Sequence, residues 1–173
     1  MRVKKKRRMQ GKTDYRARIA LLKGKKPRIV VRKTNRYIII QYITSEDAQD
    51  RVLYYANSKE LLNYGWPNEM QGSLKSLPAC YLTGKLIAKR IKEKEGKKKE
   101  SKKDIEAVLD IGLARNIPKS RIYAALKGII DGGISISCKK EIFPEEGRIK
   151  GAHLKKDVSR IFEKIKENIE KLK

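Results

Sequence analysis

Asp110 is the one acid inside a run that reads as a strand, Ala107 to Leu113. A two-metal nuclease needs several carboxylates converging from strand ends, and Glu106, Asp131 and Asp157 share no spacing with Asp110. Its expected role is therefore to accept a hydrogen bond from the backbone or from an arginine. The single histidine, His153, sits in the run Arg148 to Leu154 just ahead of a helical pattern, and no GxSxG elbow exists to partner it. Cys80 and Cys138 form no CxxC pair, and with one histidine the chain cannot assemble a Cys/His zinc site. They read as buried, reduced thiols. Neither GxxxxGK[ST] nor GxGxxG occurs, and Asp131-Gly132-Gly133 reads as a helix stop rather than a phosphate cradle. These residues predict no catalytic site, no metal, no cofactor and no small-molecule substrate.

A different chemistry is better represented. Basic residues are interleaved with aromatic and amide side chains: Lys12, Tyr15, Arg16 and Arg18, then Arg28, Arg32, Asn35, Arg36 and Gln41, with Asp14 and Tyr37 among them. Arginine forks onto phosphates or stacks on bases, tyrosine stacks, and an amide reads a base edge or a 2′-hydroxyl. Ahead of them, Lys4, Lys5, Lys6, Arg7 and Arg8 form a dense basic arm. Together these are the candidate RNA-binding residues.

The elements that must carry them follow from periodicity. The arm at residues 1–27 has too few apolar groups to offset its ordering entropy, so residues 2–8 are expected to be disordered until RNA binds. Tyr15 to Leu22 reads as a short helix, Arg28 to Arg32 as a strand, residues 33–36 as a turn with Asn35 at positive φ, and Tyr37 to Ile43 as the returning strand. Arg28 and Arg32 are four apart and so share one face of that hairpin, with Val30 between them. A polar link at residues 45–50 leads to a third strand, Arg51 to Ala56, and then to one or two helical turns from Ser58, capped by Ser58.

Pro78 falls in the first turn of a helix carrying Leu82, Leu86, Ile87 and Ile91. A lysine-rich stretch at residues 92–103 reads as solvated. After the fourth strand, Ser120 is positioned to cap a helix with Ile122, Leu126, Ile129 and Ile130 inside, and Ile134 to Ser137 reads as an edge strand. Leu154, Val158, Ile161, Ile165, Ile169 and Leu172 make one apolar stripe on a C-terminal helix, expected to pack on the sheet. The fold class is α/β: a mixed β-sheet packed with helices at residues 28–150, a basic N-terminal arm, and an amphipathic C-terminal helix at residues 151–173.

Charge supports the same partner. Forty-four Lys and Arg against twenty acids leave +24 over 173 residues, and residues 1–36 hold sixteen of those cations against one acid, Asp14. Such a compact state repels itself unless a polyanion neutralises it, and each neutralised phosphate releases a counterion that drives binding. No apolar run near 18 residues and no signal peptide is visible, so a membrane partner is not expected and a cytoplasmic location is.

Gly11 to Arg18, Val31 to Arg36, Tyr81 to Gly84, Leu109 to Leu113, Ala125 to Gly128 with Asp131-Gly132-Gly133, and Arg148 to His153 fall in a familiar order. The chain resembles the universal large-subunit ribosomal protein eighteen in its archaeal and eukaryotic form, called ribosomal protein five in eukaryotes. The resemblance implies binding of 5S rRNA in the central protuberance and anchoring of it to the large-subunit rRNA beside neighbouring ribosomal proteins. It also implies a ribonuclease H-like motif without catalysis, with Lys12, Tyr15, Arg16, Arg18, Arg32, Asn35 and Arg36 nearest the RNA. Tyr37, Ser76 and Ile136-Ser137-Cys138 depart from that family's usual residues. A non-ribosomal protein that binds or compacts nucleic acid is the alternative that charge alone leaves open.

Overall fold

The computed structural model describes residues 3, 5–47, 49–98, 105–154 and 158–171. A four-stranded sheet in the order β3-β2-β1-β4 is built from β1 (Arg28–Lys33), β2 (Ile38–Glu46), β3 (Gln49–Asn57) and β4 (Val108–Asp110). β1 pairs antiparallel with β2 and parallel with β4, while β2 pairs antiparallel with β3 through a register shift at Tyr42/Ile43. The sheet is mixed because hairpins join the first three strands and a long crossover through a helix delivers the fourth.

Ile29 and Val31 on β1, and Ile38, Ile40 and Tyr42 on β2, point into the core, as period-two alternation requires. They meet α3 (Leu77–Lys98) and α4 (Arg121–Asp131), which form one layer on that face. α3 is apolar around most of its circumference, with Ala79, Cys80, Leu82, Leu86, Ile87, Ala88 and Ile91 all fully buried. It is covered by the sheet, by α4, and by α6 (Val158–Glu170). Glycines permit the tightest of these contacts. A Cβ at Gly84 would enter the carbonyl of Ala125, and one at Gly128 would enter the carbonyl of Tyr81.

Several expectations are corrected. Where disorder was expected at residues 2–8, Arg2 and Lys4 lie outside the described residues, and the described part contains α1 (Lys6–Met9), a helical turn folded back so that Arg7 Nε donates to Thr13 Oγ1 at 2.9 Å. Asn35 does not take positive φ; Thr34 closes the hairpin instead, its hydroxyl accepting the Tyr37 N–H and donating to the Tyr37 carbonyl, both at 2.9 Å. The polar stretch at residues 45–50 is not a link, because β2 and β3 run through it to a tight turn at Asp47, where φ is +47°. The 3-10 helix Ser58–Tyr64 is capped by Asn57, which accepts the Lys59 N–H while Glu60 accepts the Asn57 N–H. Ser58 is buried and accepts the Ile38 N–H.

A second 3-10 helix, Asn68–Ser73, was not foreseen, and α3 continues as far as Lys98 into the lysine-rich stretch. The fourth strand is three residues long, Val108–Asp110. Ser120 occupies the N-cap of α4 but makes no capping bond. The proposed strand at Ile134 to Ser137 reduces to one bridge between Glu106 and Ser135. The apolar stripe of α6 is buried at Val158, Ile165 and Ile169 and only partly at Ile161; Phe162, not expected, is buried with it, Leu154 precedes the helix, and Leu172 lies outside the described residues. α6 packs on α3, on the Ser58–Tyr64 helix and on α5 (Glu146–Lys150) rather than on the sheet. Tyr81 and Phe162 stack there at 5.5 Å, and Asn168 donates to the Tyr64 carbonyl.

Candidate nucleic-acid interface

α2 (Tyr15–Lys23) begins where Asp14 accepts the backbone N–H groups of Arg16 and Ala17, at 2.9 and 3.1 Å. The one acid of the first 36 residues is therefore a helix cap, held where a carboxylate also complements the positive end of the helix dipole. Lys5 Nζ lies 4.5 Å from the Tyr15 ring centroid and covers one face of it. Lys5, Lys6, Arg7, Arg8, Lys12 and Arg16 are exposed, as are Asn35 and Arg36 at the hairpin tip. Lys4 lies outside the described residues.

The sheet face opposite the helices carries an alternating chain of charges. Arg18 Nη2 is 3.0 Å from Asp50 Oδ2; Asp50 Oδ1 accepts from Arg28 at 2.6 Å; Arg28 Nη1 donates to Asp110 Oδ2 at 3.1 Å; and Arg32 donates to Asp110 Oδ1 at 2.9 Å. Arg32 also donates to the Asp110 and Val31 carbonyls, and Asp110 accepts the Gly112 N–H at 2.8 Å. Ser45 closes the far end, donating to Asp50 and accepting from Arg28. Burial alone would raise the Asp50 carboxyl, but the Ser45 hydrogen bond and the Arg28 and Arg18 charges outweigh it and hold it below its ordinary value.

This chain sorts the candidate residues. Arg28 is 2% exposed and both its terminal guanidinium nitrogens are paired, so the structure removes it from the solvent-facing set and makes it part of the frame. The expectation that Arg28 and Arg32 share a face holds, since both reach the Asp110 carboxylate. Arg32 remains 43% exposed and Arg18 is half-exposed, so each has a free side beyond its partner. Gln41 is half-buried on the open face of β2. Asp110 accepts from arginines and backbone, as its sequence context implies, and both its oxygens are committed to that role.

Arg7, Lys12, Arg18 and Arg32 come together along one open groove of about 1270 Å³, whereas Asn35 and Arg36 lie apart at the hairpin tip. The same groove is also lined by Lys33, Arg115, Lys119, Arg121 and Arg148. None of these was singled out from sequence. They are scattered over more than a hundred positions and show no local interleaving with aromatics. The available signals were the family-like runs that contain Lys33 and Arg148.

A mixed sheet in which acids on both edge strands, Asp50 and Asp110, pair with the buried Arg28 of β1, with exposed cations beside them, defines a basic α/β module. The family of ribosomal large subunit proteins 60S L5 and 50S L18 matches residues 1–104 and 92–139. The chain belongs to this family. It is 52% identical over 153 residues to the large ribosomal subunit protein uL18 of Korarchaeum cryptofilum, covering 88% of this chain and 72% of that one. Its identity to the protein of that name from Methanoculleus marisnigri is 47% over 149 residues (86% and 78% of the two chains), and to that from Methanothrix thermoacetophila 42% over 172 residues (97% and 95%). Membership makes it a structural, non-enzymatic component of the large ribosomal subunit in the cytoplasm.

Proposed function

We propose that the chain binds 5S rRNA and anchors it to the large-subunit rRNA in the central protuberance, beside neighbouring ribosomal proteins. The contact surface is the arm, α2 and the tip of the β1–β2 hairpin. One observation carries this reading: the acids bonded to α2 and to the base of the hairpin are already engaged there. Asp14 caps α2, and Asp50 and Asp110 are bound to arginines and backbone. Lys12, Arg16 and Arg36 are exposed cations that form no ion pair among the described residues. RNA phosphates supply the opposing charge, and the folded shape of 5S rRNA supplies the specificity.

The test is a titration of 5S rRNA with the variant Lys12→Ala/Arg16→Ala/Arg36→Ala. The expected result is at least a tenfold loss of affinity and a salt dependence shallower by about two to three counterions, with unchanged melting. Parental affinity in a folded variant would place the interface elsewhere.

A further inference from the structure

The groove wall contributed by the β4–α4 loop has no part in that surface. We propose that it is a second RNA-binding site, one that takes an unpaired strand. β1 and β4 are parallel, and their carboxyl ends open into the groove together with the starts of α3 and α4 at Leu77 and Arg121. In open α/β sheets ligands gather at such edges.

Charge gives the phosphate half of the site. Arg115, Arg121 and Arg148 are exposed and line this groove, and Lys33 stands at the end of β1. The two acids that border the groove, Asp14 and Asp110, are committed to α2 and to the arginine chain. The hydroxyl oxygen of Ser120, at the start of α4, is out of water and has no hydrogen-bond partner among the described residues.

Apolar exposure gives the other half. Leu113 and Ile117 are 56% and 55% exposed, four residues apart on the groove lip, and they bracket Arg115. A duplex keeps its base faces stacked inside and offers none of them to these side chains. An unpaired strand lays its phosphates along the basic wall and its base faces against Leu113 and Ile117. An acidic protein segment would satisfy the charge but offers no planar apolar surface at phosphate spacing.

This assignment rests on the RNA-binding reading above, but the residues are different and so are the probes. The full chain is titrated with a labelled ten-nucleotide oligouridylate and with a ten-base-pair RNA duplex. Arg115→Ala/Arg121→Ala should weaken oligouridylate binding at least tenfold and flatten its salt slope by about 1.4, near 0.7 per lost phosphate contact. Leu113→Ser/Ile117→Ser should weaken it several-fold with the slope unchanged, and should leave duplex binding within twofold. Should a loop variant melt early, Arg148→Ala on α5 reads the same wall. Oligouridylate affinity within twofold of the parent in both charge variants, or displacement by polyglutamate as effective as by unlabelled oligouridylate, would overturn the site. If the parent showed no preference for 5S rRNA while these oligonucleotide effects persisted, the 5S reading would fall and the groove would stand.

Discussion

Arg28 crosses from β1 to the neighbouring parallel strand, and its Nη1 lies 3.1 Å from Oδ2 of Asp110, with both residues almost entirely out of water. A charge in that position requires its partner, because an uncompensated buried ion is costly while a paired one is roughly neutral. Asp110→Ala should therefore destabilise the fold by about 3 kcal/mol, near the lower end for breaking a buried pair, since Arg28 keeps Asp50 and Ser45. Denaturant titration measures it. Arg28→Met should be milder, because Asp110 retains Arg32 and the Gly112 N–H. Its RNA affinity should match the parent, since Arg28 does not reach solvent.

Asp50 sets an acid limit. Its folded carboxyl titrates below the ordinary value of 3.8, so the fold favours the ionised form. That contribution is complete above the unfolded value and is lost as pH falls through the folded one. The melting temperature of the parent should drop on acidification below about pH 4, while Asp50→Asn should start lower and fall less steeply through the same window. Parallel curves would show that the ion chain carries no linkage.

Gly84 and Gly128 hold α3 and α4 at a separation that admits no Cβ. Alanine raises intrinsic helix propensity by about 1 kcal/mol, so an exposed glycine would gain by the exchange. Here Gly84→Ala should instead cost about 1–3 kcal/mol or more through overpacking, read by thermal or denaturant melting. A stabilised variant would contradict the helix packing described.

The two thiols should differ. Cys80 is fully buried, and burial pushes its thiol up to about 12; Cys138 is only partly covered. An alkylating reagent at neutral pH should label Cys138 in the native protein and reach Cys80 only after denaturation, as mass spectrometry of the digested chain would show. Equal labelling of both would mean that α3 opens readily.

Local pattern made much of this legible. The β-branched runs of β1 and β2, the stripe of α6 and the glycine stop after α4 are short-range signals, and each marks its element. The shared face of Arg28 and Arg32 also follows from spacing alone. What the face does was not legible, because the partners that bury Arg28 lie 22 and 82 positions away at Asp50 and Asp110. The same distance hid Arg115, Arg121 and Arg148, which meet the arm only once β4 pairs with β1. Ser58 and Ser120 resemble caps by type, yet Asn57 wins at one site through its reciprocal bond with Glu60, and the Ser120 hydroxyl makes no bond at the other. Amphipathicity told that α6 packs on something; it carried no information that α3, itself covered on most sides, would be the surface.

Specific recognition of one folded RNA is the central claim, and competition tests it most directly. Labelled 5S rRNA would be bound by the full chain at near-physiological salt and challenged with excess transfer RNA and duplex DNA. The account predicts that the 5S complex survives both competitors. Equal displacement by each would show that the +24 charge acts without selectivity and would contradict it.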